Sequence, residues 1–218
     1  MPSFSRTSLY GRFVEIARKQ WVTVQANMEK LPDLQNKLSQ LSGDDANYFE
    51  YSEIDPIEIE MNNGCCVIIV MSALGLEGYI YDYAARSLSD GFAEDIDKLD
   101  AVSKWVIITQ LVTGKTFPKD GKAYQLLKQL VSDRNYLAHP KSAPTLVYDE
   151  KNKEWKMSSK ADRMRDFSIS LLDKAQNALS AIDELALVME NLDPNEAASF
   201  LLGSTVGKNK KQKDNFGV

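Results

Sequence analysis

A chain of 218 residues, 44% hydrophobic and 26% charged, has the makeup of a globular protein with a real core. Its net charge of −5 excludes a generally basic nucleic-acid coat. Two adjacent cysteines and one histidine exclude a disulfide scaffold and supply too few of the usual ligands for a zinc site, so no metal or other cofactor is expected. The start, Met-Pro-Ser-Phe-Ser-Arg, lacks the apolar stretch of a signal peptide. The longest apolar run, Cys65 to Leu76, is too short to cross a bilayer. Cys65 and Cys66 read as small buried hydrophobes of a reducing compartment, so the expectation is a cytoplasmic protein without a membrane partner.

In chain order, apolar residues at helical spacing (Phe13, Ile16, Ala17, Val24, Met28) predict a helix from Leu9 to Lys30, with a break or kink at Pro32. A short helix is expected over Leu34 to Leu41. The acidic stretch Gly43 to Glu60, with Pro56 and the alternating Glu58-Ile59-Glu60, predicts a loop with extended pieces. Asn63 to Leu88 is apolar nearly all round and predicts a long buried helix. A third helical segment covers Asp97 to Val112 and stops at Thr113-Gly114, and Pro118 to Gly121 forms a loop. The next helix spans Gly121 to Ala138 and is closed by Pro140, which disfavours helical geometry at His139.

Leu146-Val147-Tyr148 and Glu154-Trp155-Lys156, flanking Asp149 to Lys153, predict a β-hairpin between Thr145 and Met157. Ser159 to Asp162 resembles a capping box opening a closing helix from about 159 to 191. Asp193-Pro194-Asn195-Glu196 starts a further short helix that Gly203 ends. Residues 204–218, with Lys208, Lys210, Lys211 and Lys213, read as a disordered basic tail. The fold class expected is all-α: an up-and-down bundle of about five main helices with a small β-hairpin insertion, one domain over 1–203.

Arg134-Asn135-Tyr136-Leu137-Ala138-His139 carries the chemistry. At about 100° per residue, Ala123, Leu126, Leu127, Leu130, Val131, Leu137 and Ala138 fall within an arc of roughly 140°, with Arg134 near its middle. Asn135 and His139 lie together at its edge. A charge aimed into an apolar seam is costly unless it is paired or employed. His139 is the right group for proton transfer near neutral pH, and Arg134 offers a permanently charged fork to a phosphate. Asn135, four residues before His139, shares its face. Between Lys115 and Lys141 six basic residues meet two acids, a local excess that suits a phosphate-bearing ligand or, more commonly, a solvated helix face. The plainer reading of the motif is that Arg134 pairs with a buried acid while His139 closes a helix.

This motif at a helix end resembles the Arg-x4–6-His signature of the HEPN superfamily. The run Met71 to Ile80, with Glu77, and the segment Leu99 to Phe117 resemble the helices that precede the signature, so the likeness covers 63–141, with the closing helix at about 159–191 similar in general character. It implies a helical bundle that dimerises with its signature helices facing. It also implies a metal-independent endoribonuclease of toxin–antitoxin or phage-defence type, with Arg134 and His139 as catalytic pair and Asn135 as third polar residue. RNA, a second copy and an antitoxin or defence-system protein are the partners implied. Other members bind without cutting, so a non-catalytic RNA-, nucleotide- or protein-binding module is the alternative. The toxin subgroup paired with nucleotidyltransferase antitoxins has a tyrosine two residues after the histidine. Here that position is Lys141, which argues against such modification.

Four further readings come from the residues. Glu77 falls on an apolar arc with Val70, Ala73, Tyr81, Ala84 and Leu88 and is expected either to be the buried partner of Arg134 or to reach solvent at a bundle edge. Ser72, Gly75, Gly78 and Asp82 form a small or polar stripe expected to let another helix approach. Asp82 and Arg86 are an i, i+4 pair. Tyr79, Tyr81 and Tyr83 are expected in the core rather than on a nucleic acid.

Overall fold

The computed structural model describes residues 8–139 and 144–196. The chain is an all-α bundle with a two-stranded hairpin. Five helices carry it: α1 (Tyr10–Leu38), α3 (Asp55–Ser87), α5 (Ala101–Thr113), α6 (Lys122–Ala138) and α8 (Leu171–Leu192). Shorter pieces are α2 (Gly43–Phe49), α4 (Asp90–Asp95) and α7 (Ser159–Ile169). The hairpin pairs β1 (Leu146–Asp149) with β2 (Glu154–Met157), Leu146 opposite Met157 and Tyr148 opposite Trp155.

The apolar sequence of α3 makes it the central post. Ile68, Ile69, Leu76, Tyr79, Ile80 and Tyr83 are buried, and α1, α5, α6 and α8 all pack around it. The small stripe does what its composition implies. A Cβ at Gly75 would stand 2.8 Å from Val14 Cγ2 of α1, and one at Gly78 would stand 3.3 Å from Tyr10 Cβ. Glycine at these two places sets how closely α1 can lie along α3. Asp82 holds Arg86 at 2.7 Å as the i, i+4 pair. Tyr79 and Tyr83 are core residues and Tyr81 is half-buried. Tyr79 stacks on Trp105 of α5 with ring centroids 5.5 Å apart.

Several expectations need correction. Helix α1 runs on through Pro32 to Leu38 and absorbs the expected second helix. The lost backbone bond is local, whereas Val14, Ala17, Val24 and Asn27 dock along α3. Asn27 Nδ2 also donates to Glu60 at 2.8 Å. The stretch 43–60 is helical rather than a loop: α2, a π-helical stretch Glu50–Ile54, then α3. Pro56 is the second residue of α3, directly after the π-helical stretch Glu50–Ile54, where the i−4 bonding ladder is already altered. Asp44 and Asp45 lie in the first turn of α2, where the helix dipole favours acids.

The segment expected from Asp97 begins at Ala101, capped by Asp100, after a separate 3-10 turn Ile96–Lys98. It ends as expected at Gly114, whose φ of +70° is the left-handed stop. The closing helix is two helices that break at Ser170, whose hydroxyl bonds back to the Asp166 and Phe167 carbonyls. Its cap is Ser158, one residue before the expected box, accepting from the Ala161 N–H at 3.1 Å. Asp193 and Glu196 tie the end of the described chain to α3 through Tyr83 and Arg86. The helix expected to end at Gly203 and the basic tail 204–218 lie outside the described residues.

One continuous helical run, Gly43–Ser87, is by length and composition sufficient to cross a membrane, which the short apolar run did not foretell. In the fold, 56% of its most apolar window is buried inside the bundle. Burial also pushes the Cys65 thiol up to about 11.

Candidate functional site

Helix α6 reaches the site by burying one line of side chains, Ala123, Leu127 and Leu130. The next residue on that line is Asp133, only 4% exposed. Its carboxylate accepts from Lys174 Nζ of α8 at 2.8 Å and from Gln129 Nε2 at 2.9 Å. The Lys174 ammonium also lies 4.9 Å from the centroid of the Phe167 ring in α7. Phe167 in turn stacks on Tyr136, with centroids 4.3 Å apart. These contacts lock the last turns of α6 against α7 and α8.

Arg134 ties the same turns to the central post. Its Nη2 donates to Glu77 Oε2 of α3 at 3.1 Å, and the two side chains are 24% and 32% exposed. The pairing expected from the two apolar arcs is therefore present, at the edge of the core rather than deep within it. Two cations share the acid, because Lys104 Nζ of α5 lies 3.6 Å from Glu77 Oε1. Lys104 is almost fully buried and reaches Asp97 at 2.6 Å. Two cations and two carboxylates thus alternate from α6 across α3 to α5, which is how buried charge is tolerated. Arg134 Nε is buried without a hydrogen-bond partner among the described residues.

The remaining motif residues face water. Asn135 and His139 are exposed, and α6 ends where the His139 N–H donates to the Asn135 carbonyl at 3.1 Å. The His139 backbone then leaves the helix, with φ −124° and ψ +60°. The imidazole stands at the C-terminus of α6. Tyr136, Leu137 and Ala138 are half-buried or exposed, so the apolar arc is covered less completely than its composition implies.

An open groove of about 460 Å³ runs between the start of α5 and α6. Asn135 stands on its rim with Ser132, Lys128, Tyr124, Ser103 and Asp100. The Asp100 carboxylate caps α5 by accepting from the Ser103 hydroxyl and N–H, and these bonds hold it below the usual carboxylate range. Half of the six basic residues counted there have structural partners. Lys115 donates to the Asn191 and Leu192 carbonyls that end α8, Lys122 pairs with Glu184, and Arg134 pairs with Glu77. Lys128 remains on the groove, its ammonium 5.6 Å from the Tyr124 ring centroid.

Two members of the site were missed in the sequence. Lys104 sits directly before buried Trp105, and Asp133 falls three residues after Leu130 on the buried line. A charge on a buried line was the available signal in both cases. Among the described residues no group of three or more His, Cys, Asp or Glu side chains is placed to hold a metal ion. No protein-family model, no curated protein and no solved structure matches the chain.

Proposed function

We propose that the chain is a HEPN-type, metal-independent endoribonuclease of a toxin or phage-defence system, acting in the cytoplasm as a homodimer. The observation that carries this reading is one arginine anchored by an acid beside two exposed polar residues in the same helical turns. Glu77 holds Arg134 while Asn135 and His139 remain open to solvent. The likeness of Arg134 to His139 to the HEPN signature supplies the reaction class.

In the proposed reaction the ribose 2′-oxygen attacks the adjacent phosphorus and the bond from phosphorus to the 5′-oxygen breaks. The 2′-hydroxyl proton passes to one His139, and the leaving 5′-oxygen takes a proton from the other His139 of a dimer. The products are a 2′,3′-cyclic phosphate and a free 5′-hydroxyl. Arg134 spends one donor on Glu77 and has others to stabilise charge developing on the phosphate. Asn135 positions substrate or histidine.

The second reading is a non-catalytic binding module, favoured by the sharing of Glu77 between Arg134 and Lys104, which is also how a structural ion-pair seat looks. RNA cleavage in EDTA by wild type, His139→Ala and Arg134→Ala separates the two. Cleavage lost in both variants supports the nuclease. Binding without cleavage by the wild type supports the module.

A further inference from the structure

Lys104 lies on the inner face of α5 among buried Ala101, Trp105 and Ile108, and is itself almost fully buried. A buried ammonium needs an acid, and Asp97 supplies one at 2.6 Å. Glu77 of α3 is a second. Its Oε1 is 3.6 Å from the same ammonium, an electrostatic neighbour rather than a hydrogen-bond partner.

The consequence falls on Arg134. An arginine beside a carboxylate frequently pairs through two parallel hydrogen bonds. Here one is formed, from Nη2 to Glu77 Oε2 at 3.1 Å, while Oε1 faces Lys104. Of the five guanidinium donors, that bond takes one, and Nε is buried without a hydrogen-bond partner among the described residues. Nη1 and the second Nη2 hydrogen are left for an incoming oxyanion.

We propose that Lys104 is a positioning residue for the RNA phosphate: it draws Glu77 Oε1 away from Arg134, so that the acid anchors the guanidinium without closing its fork. The inference rests on the reading of Arg134 as the group that meets that phosphate. Lys104 is sealed among core residues and acts only through Glu77. Asp97 holds the ammonium on the α5 side, so Lys104 stays in place when Glu77 leans towards α6. A phosphate on Arg134 also brings negative charge near Glu77, and a cation on the far oxygen offsets that repulsion.

The test uses the full chain and a 12-nucleotide single-stranded RNA of mixed sequence, in EDTA. Lys104→Met keeps an apolar stem and removes the charge, so Glu77 closes both oxygens on Arg134. The kcat/KM for RNA should then fall about tenfold. Glu77→Gln abolishes the competition, and in that background Lys104→Met should change kcat/KM by less than about threefold. A lysine that only stabilises the bundle does not produce that coupling. Thermal melting verifies that each variant is folded. Where Lys104→Met does not fold, Lys104→Gln, which also lacks the charge but can still hydrogen-bond Asp97, takes its place with the same expectation.

Wild-type cleavage with kcat/KM within about threefold in the Lys104 variant overturns the positioning role and leaves the nuclease reading standing. An equal loss in the presence and absence of the Glu77 charge also overturns it. A wild type that binds the RNA without cutting it sinks the nuclease reading alone, and the same cycle read as Kd then decides the role of Lys104. No binding and no cleavage by the wild type overturns both.

Discussion

Glu77→Gln removes the one charge that two cations share while keeping the side chain's shape. In the wild type Glu77 lies 3.1 Å from Arg134 and 3.6 Å from Lys104, and Lys104 is 2% exposed. Breaking a fully buried pair costs about 3–5 kcal/mol, and a hydrogen bond to a charged group is worth about 1.5–3 kcal/mol. Both Glu77 and Arg134 are about a quarter to a third exposed, so solvent screening places the cost nearer the lower range, about 2 kcal/mol. For a chain of this size that corresponds to a fall in Tm of about 4–8 °C. Urea denaturation of Glu77→Gln, Arg134→Gln and the double variant isolates the coupling, which should be about 1 kcal/mol or more. A Glu77→Gln protein within about 0.5 kcal/mol of wild type, with no coupling in the cycle, refutes the argument that Glu77 seats Arg134.

Three other outcomes follow from the packing and the thiols. Gly75→Val should lower Tm by several degrees, since even a Cβ there meets Val14 at 2.8 Å and overpacking costs about 1–3 kcal/mol. Asp100→Ala should cost about 1 kcal/mol in urea denaturation and Asp100→Asn much less, because asparagine also caps α5. The Asp100 carboxyl is held below its ordinary value, so its contribution is present above the unfolded pKa and is lost as pH falls through the folded one. Cys65, at about 11, and Cys66, also raised by burial, should react slowly with a disulfide reagent at pH 8 in the folded protein and rapidly in denaturant. Raised thiol values contribute stability below the unfolded pKa that is lost as pH climbs through the folded one, so alkaline unfolding should steepen between about pH 9 and 11.

The bundle was legible wherever local pattern and tertiary packing agree. Helix α3 is apolar all round because it is surrounded, and α6 starts and stops at Gly121 and His139 as their neighbours dictate. The hairpin strands fall where alternation puts them. Legibility failed where a local breaker was overruled from a distance. Pro32 reads as a break only if the docking of α1 on α3 is ignored, and Pro56 reads as a loop only if the helical run that continues through it is not foreseen. The break at Ser170 carries no glycine or proline, so nothing in composition marks it. Within the site, Arg134 and Glu77 could be matched because each is a lone charge on an apolar arc. Lys104 and Asp133 carry the same kind of signal, a charge on a buried line, but the sequence does not state which of the acids and bases on other elements, Asp97, Glu77 and Lys174, packs against each.

The measurement that bears most directly on the proposed function is cleavage of single-stranded RNA in EDTA, with the product ends identified, by wild type, His139→Ala and Arg134→Ala. The account expects 2′,3′-cyclic phosphate and 5′-hydroxyl ends from the wild type and a loss of at least a hundredfold in rate from His139→Ala. A comparable loss from Arg134→Ala in a protein that still melts cooperatively completes the expectation. Cleavage that survives both substitutions, or products with other ends, contradicts it.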